Sequence, residues 1–194
     1  MAYINRLKTL FHKPSRTFQE VIDSPSFFKT SILIIVATVV YSVIAEIGLF
    51  RVVVPHFVAA YALMFTIIWF LPTLLSMLFF KIMGKKFNAE SYMEANALSY
   101  LTVLTLLFIF VGIFMIYTNV FQEPRRETYI AMVYYNQFLP MAIVGAPLII
   151  MLVYRVFKVG RLIASAKIYQ TALVWIIATA ITLCAGYLFF AGWL

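Results

Sequence analysis

The chain is poor in the residues that do chemistry. Its 194 residues include seven Asp and Glu, two His and one Cys. A single cysteine, Cys184, excludes a disulfide within the chain and any CxxC metal or redox motif. Set in an apolar run, it is expected to be a small core residue. The two histidines, His12 and His56, stand at no metal-ligand spacing. No Gly-rich phosphate loop, GxSxG elbow or credible Ser-x-x-Lys unit occurs, and Ser165-Ala166-Lys167 reads as a basic turn. The expectation is a protein with no catalysis, no cofactor and no metal.

Charge is scarce too, at 11% of residues against about 25% in an ordinary soluble domain, while 64% of residues are hydrophobic. A soluble fold of this size has no interior large enough for so much apolar surface, so the chain reads as an integral membrane protein. The net charge of +8 raises nucleic acid as a partner. The basic residues are scattered between apolar runs, however, and no segment is large enough to form a soluble basic face, which excludes it.

A helix crossing the hydrocarbon needs about 20 apolar residues. Five stretches qualify: about 28–50, 57–83, 92–117, 129–157 and 168–193, the fourth beginning on polar turns at Tyr134-Tyr135-Asn136-Gln137. The predicted fold is therefore all-α, a polytopic bundle of five transmembrane helices over 28–194, preceded by a short amphipathic leader over 1–27. The first run follows Arg6, Lys8, Lys13 and Arg16 and is too long for a cleavable signal, so it is expected to stay as a span. On one side of the predicted spans lie Arg6, Lys8, Lys13, Arg16, Lys29, Lys81, Lys85, Lys86, Arg155, Lys158, Arg161 and Lys167; on the other lie Arg51, Arg125 and Arg126. The positive-inside rule places the N-terminus in the cytoplasm and the C-terminus outside. Helix-start signals fit these limits: Ser24-Pro25 before the first span, and Ser91 with Glu94 at capping-box spacing before the third.

Glu46 is an acid deep in a predicted span, where an ionisable group costs about 2.5–3.5 kcal/mol on insertion scales. It either pairs with Arg51 or His56 at the interface or serves as a proton or substrate site. The second role would make the protein a small transporter or permease component, with spans two and four kinked at Pro72, Pro140 and Pro147 around it. Phe70-Leu71-Pro72 recurs as Phe138-Leu139-Pro140, each followed by a basic turn with a glycine, Gly84 or Gly160, which hints at an internal repeat. Ala178, Thr182 and Gly186 repeat every four residues, and Ala142, Gly145 and Ala146 cluster; both sets mark helix contacts within or between chains.

In the leader, Ile4, Leu7, Leu10 and Phe11 recur at helical spacing. After Pro14, Thr17 and Glu20 have capping-box spacing, and Phe18, Val21 and Ile22 share a face. Short basic amphipathic helices tethered to a span are expected to lie in the cytoplasmic headgroup layer, against anionic lipid or a docked protein. The candidate interaction face is Lys13, Pro14, Arg16, Thr17 and Phe18 with Lys85, Lys86 and Arg161 of the later basic turns.

Pro-x-x-Thr-Phe followed about eight residues on by Pro, as in Pro14, Thr17, Phe18 and Pro25, resembles the start of the Yip-domain family. The Gly84-Lys85-Lys86-Phe87 turn before a polar-headed third span, the span count and the N-in topology are similar as well. That resemblance implies a small five-span protein acting through interactions, Rab-type GTPases being the partners of eukaryotic members. The chain departs from the family at Ala97-Leu98-Ser99-Tyr100, where Gly-Tyr-Ser and then Pro are frequent, and lacks the eukaryotic Asp-Leu-x-Gly-Pro element. The resemblance thus points to a bacterial-type member in the inner membrane. The expected partners are the bilayer, its anionic lipids and a membrane or cytosolic protein, with oligomers open.

Overall fold

Apolar runs can hydrogen-bond their own backbone groups locally only as helices. The computed structural model describes residues 6, 8–10, 12–50, 55–121, 147 and 149–191, and its regular structure there is all helical. In chain order the elements are α1 (Pro14–Asp23), α2 (Phe27–Phe50), α3 (Pro55–Ile82), α4 (Ala89–Phe121), α5 (149–162) and α6 (Ile168–Ala191). The expected spans 28–50, 57–83, 92–117 and 168–193 fall on α2, α3, α4 and α6. Most of 129–157 lies outside the described residues, as do Phe138-Leu139-Pro140 and the Ala142, Gly145, Ala146 cluster. Among the described residues two stretches, Phe27–Ile44 and Ile168–Tyr187, are long and apolar enough to cross a membrane, and Thr66–Ile82 is a shorter apolar one.

The helix ends differ from the sequence expectations in instructive ways. Pro14 opens α1 at its first turn, where its missing N–H costs nothing. Thr17 therefore lies inside the helix and caps nothing; its Oγ1 sits 2.9 Å from Thr9 Oγ1. Ser24 closes α1 through its N–H to Glu20 O at 3.0 Å instead of opening α2, which begins at Phe27. Asn88, not Ser91, caps α4: its Oδ1 accepts from Glu90 N at 2.9 Å and from Ser91 N at 3.5 Å. At the end of α3, Gly84 takes φ +73° while its N–H donates to Lys81 O and Lys85 N–H to Phe80 O, both at 2.9 Å. This is the Schellman closure, in which a left-handed residue spares the last carbonyls. In the corresponding turn after α5 the left-handed residue is Ser165, φ +48°, not Gly160. Gly160 is needed for space: a Cβ there would lie 2.6 Å from Thr171 Cγ2 on α6.

Helix α2 packs on α3 and α4, α3 on α4 and α6, and α1 on α4. The Tyr92 hydroxyl and Ser76 Oγ, 3.0 Å apart, join the last turns of α3 to the first of α4. Lys85 Nζ donates to Ser165 O at 3.2 Å, so the α3–α4 and α5–α6 turns meet. The tightest core lies at this end: Phe18 and Val21 of α1, Phe80 of α3, Tyr92 and Leu98 of α4, and Val159 and Ile163 beside α6. Phe80, Phe87 and Tyr92 stack with centroids 5.2–6.5 Å apart. Of that small-residue stripe, Ala178 and Thr182 are buried inside the chain, whereas Gly186 is half-buried and a Cβ there would meet nothing within 4 Å. Cys184, expected in the core, is exposed on α6.

Candidate functional site

The end of the bundle where α1, α3, α4, α5 and α6 meet carries most of the described Lys and Arg residues. The sequence expectation of one exposed interaction face needs correction at two positions. Lys13, Arg16, Lys86 and Arg161 are exposed, and Pro14 and Lys85 are half-buried. Thr17 and Phe18 are wholly buried and point into the core. The reason is the amphipathicity of α1: burying an aromatic side chain against α4 gains more than leaving it in an interfacial layer. The leader accordingly lies with its apolar side on α4, leaving Arg16 and Gln19 exposed. Arg16 is held to Glu20 one turn on, at 3.1 Å.

Beneath the leader sits a polar cluster that sequence reasoning missed. Arg6 Nη1 pairs with Glu94 Oε1 at 2.9 Å, with the Glu94 side chain fully buried. Arg6 Nη2 donates to Ser24 Oγ at 2.9 Å and Ser24 O at 3.0 Å. The other Glu94 oxygen accepts from the backbone N–H of Ser26, the residue before α2. Thr30 Oγ1 donates to Oε1 at 3.4 Å. One carboxylate thus joins the leader, the start of α2 and α4. The signal was in the sequence: Glu94 falls inside the predicted third span, where an acid is expensive. The capping-box spacing absorbed it.

Arg155 is a second surprise. The sequence counts it among the cytoplasmic charges, yet it is buried, and Nη2 donates to Leu10 O at 3.2 Å. Two arginines therefore grip the leader from opposite sides in sequence, one from within it and one from α5.

On the outward side of α5, Tyr154, Phe157, Lys158, Arg161 and Leu162 line an open cleft of about 440 Å³ with Ile168 of α6. Lys158 Nζ lies 3.2 Å from Tyr154 Oη, and 5.2 Å from that ring's centre. Among the described Lys and Arg, only Arg6 and Arg16 sit in ion pairs. No group of three metal-ligating side chains occurs among the described residues. Glu46 is in α2, and its side chain lies outside the described residues, as does Arg51. The transport reading gains no observation from the structure.

Compared with protein-family models, curated proteins and solved structures, the chain matches none.

Proposed function

We propose that the chain is an integral membrane protein of Yip-domain type that acts by binding at its basic end and performs no catalysis. In this reading it is a five-span bundle of a bacterial inner membrane, with the basic turns cytoplasmic and the C-terminus outside. Its partners are anionic lipid and a membrane or cytosolic protein. The observation that carries the reading is the juxtaposition of exposed cations at one end, all but Arg16 without a carboxylate partner among the described residues, with apolar helix flanks beyond it. On α2, Ile32, Ile35, Val36, Val39 and Val40 face outward, as do Leu173, Ile176 and Leu183 on α6. Only 22% of the residues in each of the two crossing-length stretches are buried. Water tolerates contiguous apolar patches of only a few hundred Å² on a monomer, whereas lipid welcomes them. The likeness at Pro14, Thr17, Phe18 and Pro25 supports the family reading, with Thr17 and Phe18 serving to seat the leader.

The test replaces Lys13, Arg16, Lys85, Lys86 and Arg161 together with Gln. Crosslinked partners and the anionic fraction of co-purified lipid are then measured in mild detergent. The reading expects a fall in at least one of them; an unchanged pattern in both would sink it.

A further inference from the structure

We infer that the cleft between α5 and the start of α6 is a binding site for one anionic glycerophospholipid, its phosphate between Lys158 and Arg161 and an acyl chain along the apolar wall. The inference rests on the membrane reading above and deepens it, because it assigns lipid recognition to one place on the basic end.

The site follows from helical spacing. Tyr154, Phe157, Lys158, Arg161 and Leu162 recur at intervals of three and four, so they form one stripe on α5. Lys158 and Arg161 stand one turn apart, about 4.5 Å along the axis, a spacing that lets both donate to one phosphate. The Tyr154 ring and hydroxyl steady Lys158. That contact is to a neutral group, and among the described residues Lys158 has no carboxylate partner. Arg161 is exposed, and among the described residues it has no carboxylate partner. Beside the cations the wall is apolar: Leu162 is 40% exposed and Ile168 58%. Ile168 opens α6, whose first amides add a positive end. On the other flank of that start, Lys167 lies 6.0 Å from the Tyr169 ring.

The combination selects the ligand. A small phosphate would use the cations and leave the apolar wall idle. A neutral lipid would cover the wall and leave two cations without a counter-charge. An amphiphile with an anionic head matches both, as in basic pockets at the cytoplasmic ends of membrane helices.

The experiment is native mass spectrometry and fluorescence titration of the whole protein in detergent, with phosphatidylglycerol, phosphatidylcholine of the same chains, and water-soluble glycerophosphate. Phosphatidylglycerol is expected to bind roughly tenfold more tightly than phosphatidylcholine, and glycerophosphate to compete weakly. Lys158→Gln with Arg161→Gln should abolish that preference, whereas Lys29→Gln with Lys81→Gln, an equal loss of exposed charge outside the cleft, should leave it within about twofold. Arg161→Lys should retain most of it. If the two pairs weaken binding equally, the cleft is overturned while the general basic-end reading stands. If the wild type shows no preference at all, the lipid part of that reading falls with it. Full competition by glycerophosphate would also overturn the proposal, since the apolar wall would then contribute nothing.

Discussion

Glu94 is the residue on which most depends. A buried carboxylate with a single guanidinium partner gives little net stability, since the desolvation of both charges offsets their attraction. Removing one partner is another matter, because it strands the other charge. Glu94→Gln should destabilise the fold by about 3–5 kcal/mol, and a double change of Arg6 to Met with Glu94 to Leu should cost less than that. Thermal unfolding in detergent reads both; a double variant worse than the single would show that the hydrogen bonds to Ser24 and Ser26 matter more than the charges. Gly160 poses a question of sign. Alanine raises helix propensity by about 1 kcal/mol over glycine, yet its Cβ would meet Thr171 Cγ2 at 2.6 Å. Thr171 is held in place by its hydroxyl, which donates to Lys167 O at 3.2 Å. Overpacking should win, by about 1–3 kcal/mol against the wild type. In a Thr171→Ala background the clash is gone, and Gly160→Ala should become neutral or stabilising. A substitution equally harmful in both backgrounds would refute the packing account.

At the scale of elements, the helices were legible and the placement of the shortest one was not. Apolar runs and Pro14 announce α1 to α4 and α6 directly, because backbone satisfaction and burial act locally. Where α1 lies depends on contacts made over 68 to 145 residues of separation: Ser26 with Glu94, and Arg155 with Leu10. No local pattern encodes those pairs. The same blindness misassigned the caps, since Ser24, Ser91 and Glu94 each have a cap's spacing but are claimed by distant partners or by the core. The docked leader predicts its own lability. It is held by Phe18, Val21 and two arginines, so it should open well below the global unfolding free energy. Phe18→Ala and Val21→Ala should each raise trypsin cleavage after Arg16 by roughly tenfold or more, every 1.4 kcal/mol lost from the closed state counting as a factor of ten. The melting of the remaining helices should shift far less. Cleavage that rises only in step with global unfolding would show that the leader and bundle open as one unit.

For the whole molecule, the decisive question is what solvent the flanks meet. A stripe of exposed isoleucine, leucine and valine on α2 and α6 is stable in hydrocarbon and a liability in water. Cys184 offers a direct probe, because it is exposed on α6 among those flanks and is the sole cysteine. Thiol labelling needs thiolate, and thiolate needs water. In nanodiscs or intact membranes Cys184 should resist a membrane-impermeant maleimide, although it is exposed among the described residues. The exposed position 86 provides the contrast: Lys86→Cys in a Cys184→Ser background should label at least tenfold faster under the same conditions, as an uncovered thiol in water beside cationic Lys85 does. Detergent solubilisation should leave Cys184 slow, since the detergent replaces lipid on the same flank. Unfolding should equalise the two. If native Cys184 labels as quickly as the cysteine at 86, α6 faces water, and the membrane reading, the lipid cleft and the inside-outside assignment of the basic turns all lose their footing together.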